Sequence, residues 1–448
     1  MKERFEIVEK TLLKMLEEKK YAGLRDILLV MNPSDIAELF YGLEDQRIPL
    51  LFRLLPKNKA AETFVEMEPD AQELLIRSFS DNELKEIVDE LYVDDAADLV
   101  EEMPANVVKR ILRQADPEMR RSINQILRYP ENSAGSIMTT EYVTLRPNMT
   151  VEEAILRIRR QGIDKETIYT CYVTEDRTLV GLVTVKDLLL AQDDEMRIKE
   201  IMLTNLISVT THTDQEEVAK MFSHYNFLAL PVVDGENRMV GIVTFDDAMD
   251  VIEEEATEDI ERMAAITPTD KPYMKTGVFE SWRTRVVWLI LLMLLSTFTG
   301  MIITRYETAL TAFGLAAFMP MLMNTGGNAG GQTSATVVRG LSLGEIQVKQ
   351  WFRVLFKEIR VALLCGITMA VVTFVKLMIV DRPSVMVAAV VSATLLVSII
   401  VAKTVGSLLP ILAKVIGFDP AVMASPFITT VVDAISLMIY FAIATAIL

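Results

Sequence analysis

The chain reads in two rhythms. Residues 1 to 281 alternate short apolar clusters with dense charge, whereas the last third carries "VVWLILLMLLSTFTGMIIT", "VALLCGITMAVVTFVKLMIV", "VMVAAVVSATLLVSIIVA" and "VVDAISLMIYFAIATAIL". Apolar runs of about 18 residues or more predict membrane-spanning helices. The expected plan is therefore a cytosolic module joined to a transmembrane domain over 282–448. A further run, "LTAFGLAAFMPMLM", leads into "NTGGNAGGQTS" (residues 324 to 334) and predicts a span interrupted by Pro320 and the glycines. Arg283 and Arg285 precede the first span; Arg339, Lys349, Arg353, Lys357 and Arg360 follow the second; Lys403 and Lys414 lie near the end of the fourth. Basic connections stay in the cytoplasm, so five spans are expected, with a cytoplasmic N-terminus and the C-terminus outside.

The soluble part divides again. Residues 1–131 read as short amphipathic helices stopped by proline and acidic turns, as in "MNPSDIAELF", "MEPDAQELLIRSF" and "YVDDAADLVEEMP". Asp-x-Ala-acid-Leu at Asp35 to Leu39 recurs at Asp95 to Leu99, which predicts an all-α superhelix of similar units. From "ENSAGSIMT" onward the chain repeats itself. Ile137-Met138-Thr139 answers Ile201-Met202-Leu203 at an offset of 64, and "VGLVTVKD" (180 to 187) answers "VGIVTFDD" (240 to 247) at an offset of 60. Each copy, about 132–198 and 199–256, reads as strand, helix, two strands and helix. The pair resembles tandem cystathionine-β-synthase (CBS) domains, an α/β fold. That resemblance implies regulation by an adenine nucleotide such as ATP, held at Tyr169, Thr184, Lys186 and Asp187. The alternative is that Asp187 and Asp247 only cap the helices that follow them. Lys186 tolerates a polyphosphate, whereas Asp246, Asp247 and Asp250 in the second copy repel one and favour a cation.

Charge is divided as unevenly as hydropathy. From Trp282 onward, twelve Lys and Arg face six Asp and Glu, so the overall −17 leaves −23 on residues 1 to 281. That surplus predicts no nucleic-acid partner and an attraction for cations. The bland alternative is a solubilising acidic surface. Cys171 and Cys365 lie far apart and only two His are present, which argues against a disulfide framework and against a soft-metal site. The charged start "MKERFEIVEK" predicts no signal peptide.

Lipid leaves no backbone polar group unpartnered, so a segment rich in glycine and asparagine there either lines water or packs helices closely through small residues. Asp433 favours the first, as the only carboxylate well inside an apolar span; such a carboxylate costs roughly 2.5–3.5 kcal/mol on insertion scales and is functional by default. Asp433, Asn328 and the backbone around Gly326 and Gly327 are suitable oxygen sources for a hard cation that keeps its hydration shell. Lys376 and Lys403, nearer span ends, are expected to snorkel.

"FMPMLMNTGGNAGGQTSATVVRGLSLGEI", "SPFITTVVD" and the CBS pair together resemble the MgtE family of magnesium channels and transporters over essentially the whole chain. The resemblance implies a homodimer in the cell membrane, surrounded by lipid, with Asp433 of both chains facing Mg²⁺ in a pore. It also implies a connector over 250–281, from "DDAMDVIEEEATEDIERMAAI", that plugs the pore when Mg²⁺ is abundant. Sensor candidates are Asp94, Asp95 and Asp98 in the N-domain, Asp246, Asp247, Asp250, Glu255, Glu258 and Asp259 around the connector, and Asp419 before the last span. Other readings are a carrier coupling a divalent cation to Na⁺ or H⁺, a channel for another divalent cation, and an enzyme with a membrane catalytic domain. The last lacks any nucleophile–base pair or phosphate loop, so no enzymatic activity is expected.

Overall fold

The computed structural model describes residues 2–269, 271, 273–274, 276–306, 314–423 and 425–447. The chain divides into two compact units, Met1–Ile252 and Glu253–Leu448. The boundary falls inside the helix Phe245–Met263, called here the connecting helix.

In the first unit, ten helices follow one another from Lys2 to Ile126 with short turns between them. The breaks are those that the proline and capping pattern predicts. Pro33, Pro69 and Pro117 sit in the first turns of their helices, where the missing N–H costs nothing. Ser80 opens its helix with a capping box to Glu83. Leu24, Phe40, Phe64, Leu75, Ile87 and Ile111 fill one continuous core.

Two three-stranded sheets follow, each with one parallel and one antiparallel pairing. The lead segments of the two copies are exchanged. Thr139 pairs with Ile242 of the second copy's sheet through bonds of 2.8 and 2.9 Å, and Leu203 pairs with Leu182 of the first through bonds of 3.0 and 2.9 Å. The repeated glycine of "VGLVTVKD" and "VGIVTFDD" permits this exchange: a Cβ at Gly181 would stand 2.6 Å from the Met202 sulfur, and one at Gly241 2.6 Å from the Thr139 carbonyl. The repeat is thus explained by close packing of the exchanged strands.

The second unit is helical. Four of its described helices are long and apolar enough to cross a membrane: Val278–Arg305, Val348–Asp381, Val385–Val415 and Pro420–Ile447. Met319–Ser342, here the glycine helix, is not among them, yet its 24 residues are one continuous helix. This departs from the interrupted span expected from sequence. Pro320 lies in the first turn, where it is tolerated, and the glycines buy proximity. A Cβ at Gly327 would lie 2.9 Å from the Thr429 side chain, one at Gly330 2.8 Å from Ile428, and one at Gly406 2.4 Å from the Gly330 carbonyl. Close packing through small residues, the alternative left open by the sequence, is what these glycines do.

Candidate functional site

In the first unit, sequence-distant acids converge. Asp94 and Asp95 occupy the first turn of the helix Val93–Glu102, whose N-terminus offers partial positive charge. Asp247 lies in the first turn of the connecting helix. Its Oδ2 accepts from the Thr244 hydroxyl at 2.5 Å and the Thr244 N–H at 3.3 Å. Glu166 comes from the segment after the helix Val151–Gln161, anchored by its N–H on the Glu141 carbonyl at 3.1 Å. Glu141 in turn accepts the Val93 N–H at 3.2 Å. One carboxylate oxygen from each of Asp94, Glu166 and Asp247 lies within 4.8 Å of the others. Asp94 is 6% exposed. Asp94 Oδ1 and Glu166 Oε2 are buried without a hydrogen-bond partner.

Electrostatics record the strain. Burial, then the charges of Glu166, Asp247 and Asp95, hold Asp94 well above the usual carboxylate range. Burial and Asp247 raise Glu166 to about 8, burial and Asp247 raise Asp95 to about 7, and burial raises Asp247 to about 6 against the pull of its bonds from Thr244. Asp98 is shifted the same way by desolvation and Asp247. As a whole residue Asp98 is exposed, so solvent screens part of that repulsion. Buried carboxylates lacking a donor are satisfied by protons or by a cation. A hard divalent cation such as Mg²⁺ takes carboxylate oxygens of this kind, directly or through the waters it keeps. Asp246 and Asp250 are exposed on the same helix.

At the first copy, Thr184 and Asp187 form a capping box, with the hydroxyl donating to Asp187 Oδ2 at 2.6 Å and the Asp187 N–H donating back at 3.1 Å. The Val185 N–H binds the Tyr169 carbonyl at 3.0 Å, which places Tyr169 beside the motif, and Lys186 is exposed next to it. The same hydroxyl-to-carboxylate bond at the start of the following helix is made at both copies. They differ in company, because Asp247 joins the acid cluster and Asp187 does not.

In the second unit, Gly326 and Gly327 are buried against the helix Ser425–Ile447. Their carbonyls lie within an unbroken helix, not at a break. Asn324 and Asn328 are exposed and joined by a bond of 3.2 Å. Asp433 is half-buried, one turn beyond Thr429 on the helix that lines the seam. The end of the connecting helix is tied down: Ser342 donates to Asp259 at 3.2 Å, and Arg262 pairs with both Glu258 and Asp419.

Comparison with known proteins decides the family. A model for divalent cation transporters, MgtE, matches residues 319–443; the MgtE intracellular N domain matches 31–132; the CBS domain matches 134–194 and 198–254. The magnesium transporter MgtE of Thermus thermophilus is 39% identical over 97% of both chains, and that of Bacillus subtilis 35% over 78% of this chain and 77% of its own. The chain belongs to the MgtE family. A crystal structure of the cytosolic domain of the Mg²⁺ channel MgtE in complex with ATP superposes with a TM-score of 0.52 at 39% identity, covering 54% of this chain and 99% of that one. The soluble part of a magnesium transporter does so with a TM-score of 0.52 at 30% identity, over 56% and 99%. MgtE relatives are transporters, and the chain is not an enzyme.

Within this MgtE fold, sequence reasoning missed three things. Glu166, in "IDKETIYT", carries no periodic or motif signal; only the fold brings it to Asp94 and Asp247. Arg262 was hidden among nine acids as one more helix charge. Lys403, expected to snorkel, is instead 6% exposed and bonded to Thr333 at 3.1 Å. Lys376 pairs with Asp381 at 2.6 Å.

Proposed function

We propose that this chain is a Mg²⁺ channel of the cytoplasmic membrane, working as a homodimer, which admits Mg²⁺ and closes when cytosolic Mg²⁺ fills the acid cluster. The observation that carries the reading is the set Asp94, Glu166 and Asp247, with two buried carboxylate oxygens left without donors. Mg²⁺ supplies the missing charge, and Asp95, Asp98, Asp246 and Asp250 hold its outer waters or further ions. Without the ion, repulsion drives the Val93–Glu102 helix and the connecting helix apart. The state that binds more Mg²⁺ is the compact one, so Mg²⁺ shifts the population toward it. The connecting helix carries Asp247 in its first turn and Asp259 near its far end, which is bonded to the glycine helix. Displacement at one end is thereby delivered to the other, with Glu255, Glu258 and Asp419 releasing or taking up ions beside Arg262. ATP at Tyr169, Thr184, Lys186 and Asp187 adjusts the same equilibrium; the relative crystallised with ATP supports a nucleotide there.

In the membrane, the glycine helix supplies the fifth span. At about 1.5 Å per residue, 24 residues reach about 36 Å, enough for a hydrocarbon core of about 30 Å. Asp433 and Asn328 supply oxygens to the hydrated ion, and Gly326 and Gly327 let their helices approach closely enough to bring these groups to one path. Mg²⁺ uptake into vesicles holding the purified protein tests this: Asp433→Ala abolishes uptake and Asp433→Asn leaves a fraction of it with weaker discrimination among divalent cations. Full uptake by the alanine variant would remove Asp433 from the pathway.

A further inference from the structure

From the packing of the membrane helices we infer that Thr333, Lys403 and Glu358 are positioning residues for transport, forming a buried ionic latch that sets the rotation of the glycine helix. Each comes from a different helix: Met319–Ser342, Val385–Val415 and Trp351–Lys376. Lys403 Nζ donates to Thr333 Oγ1 at 3.1 Å, Thr333 Oγ1 donates to Glu358 Oε2 at 3.2 Å, and the ammonium and carboxylate stand 4.0 Å apart. Thr333 is 2% exposed, and the Lys403 and Glu358 side chains 8% and 13%.

The helix needs such a latch because of its own glycines. Helices ordinarily fix their relative rotation by side chains of one entering the grooves of the other. At Gly326, Gly327 and Gly330 this helix presents bare backbone, which allows approach but gives little resistance to turning. Polar bonds to neighbouring helices take over that task, and those described lie in its C-terminal half. Besides the latch, Ser334 donates to the Met423 carbonyl at 3.1 Å and Lys414 to the Leu341 carbonyl at 3.2 Å. At about 100° per residue, Asn328 stands about 140° and Asn324 about 180° from Thr333 around the axis. Holding Thr333 inward holds both asparagines outward, where they are exposed. The pairing also cancels a buried positive charge that would oppose cations on a nearby path.

A single cut is worse than a double one here, since removing one partner leaves the other charge buried and uncompensated. The inference rests on Asn328 facing the pathway, and two readouts separate the two ideas. In vesicles, maximal Mg²⁺ uptake and its half-saturation are measured for Glu358→Gln, Glu358→Gln with Lys403→Met, Thr333→Val and Thr333→Ser, at equal amounts of folded protein. In a Cys365→Ala background, Asn328→Cys reports rotation through its rate of modification by a charged, membrane-impermeant thiol reagent. We expect Glu358→Gln and Thr333→Val to lower maximal uptake and labelling about tenfold with half-saturation within about twofold, and the double variant and Thr333→Ser to recover to within about threefold. If Glu358→Gln does not fold, Thr333→Val, which keeps both charges, carries the test. Unchanged labelling in the single variants, or a double variant no better than Glu358→Gln, overturns the latch. Changed labelling with unchanged uptake keeps the latch and removes Asn328 from the pathway.

Discussion

The acid cluster of the cytosolic unit and the latch of the membrane unit both bury ionisable groups, yet one is complete and the other is not. At Lys403 and Glu358 opposite charges meet with a hydroxyl between them, and the bonds that join them run inside the protein. At Asp94, Glu166 and Asp247 three like charges meet, and two oxygens face no donor. A complete buried network fixes a geometry. An incomplete one makes geometry depend on what the solution supplies, which suits a sensor.

The two regions should therefore answer neutralisation with opposite signs. Glu358→Gln strands a buried ammonium and costs about 3–5 kcal/mol, seen as a lower Tm of the full chain in detergent. Asp94→Asn removes one of three repelling charges and stabilises the Mg²⁺-free protein by ~1 kcal/mol, the scale of one pKa unit, while shrinking the gain that Mg²⁺ gives. For the unaltered chain that gain is about 2.7 kcal/mol at a hundredfold excess over the dissociation constant. A loss of Tm for Asp94→Asn without Mg²⁺ would erase the contrast.

Acidity sharpens it further. Asp247, Asp95 and Glu166 have been pushed up to about 6, 7 and 8, so Mg²⁺ must displace protons to bind. Affinity should tighten as pH rises from 6 to 8, by up to about tenfold per unit for each proton released, and level off above 8. Without Mg²⁺ the sign reverses for stability. The folded unit keeps protons that the unfolded chain gives up near pH 4, so this contribution is fully present below about pH 4 and is lost as pH climbs from there through the folded values of about 6, 7 and 8. Calorimetric titration and thermal melts at several pH values check both halves.

The fold was largely legible because periodicity changes twice along the chain, from short amphipathic helices to alternating strands to long apolar runs. The 60-residue offset between "GLVTVKD" and "GIVTFDD" exposed the tandem sheets. What stayed hidden was pairwise. A sequence shows that Asp94 and Asp247 are acidic but not that Glu166 comes within 4.8 Å of both. It shows that Gly326, Gly327 and Gly330 interrupt hydropathy, but the same residues serve a break or a seam, and only the neighbouring Thr429 and Ile428 decide. Lys403 near a span end reads as a snorkelling side chain until Glu358 is found beside it.

A smaller effect separates the two CBS copies. Asp187→Ala should weaken ATP binding to the full chain several-fold more than Asp247→Ala, because Asp247 stands among carboxylates that repel phosphate whereas Asp187 has Lys186 next to it. Each variant also loses a helix-capping bond, about 1 kcal/mol, but at Asp247 that loss is offset by relief of the repulsion from Asp94 and Glu166, so the melting temperature of Asp187→Ala should fall further. Equal losses of affinity would mean that the charge difference does not place the nucleotide.

Closure by Mg²⁺ at the acid cluster is the central claim, and current through reconstituted protein as a function of cytosolic Mg²⁺ tests it most directly. The unaltered chain should fall silent at millimolar cytosolic Mg²⁺, and the combined variant Asp94→Asn, Asp95→Asn, Glu166→Gln and Asp247→Asn should go on conducting there. If the variant closes at the same Mg²⁺ concentration as its parent, the cluster is not the sensor.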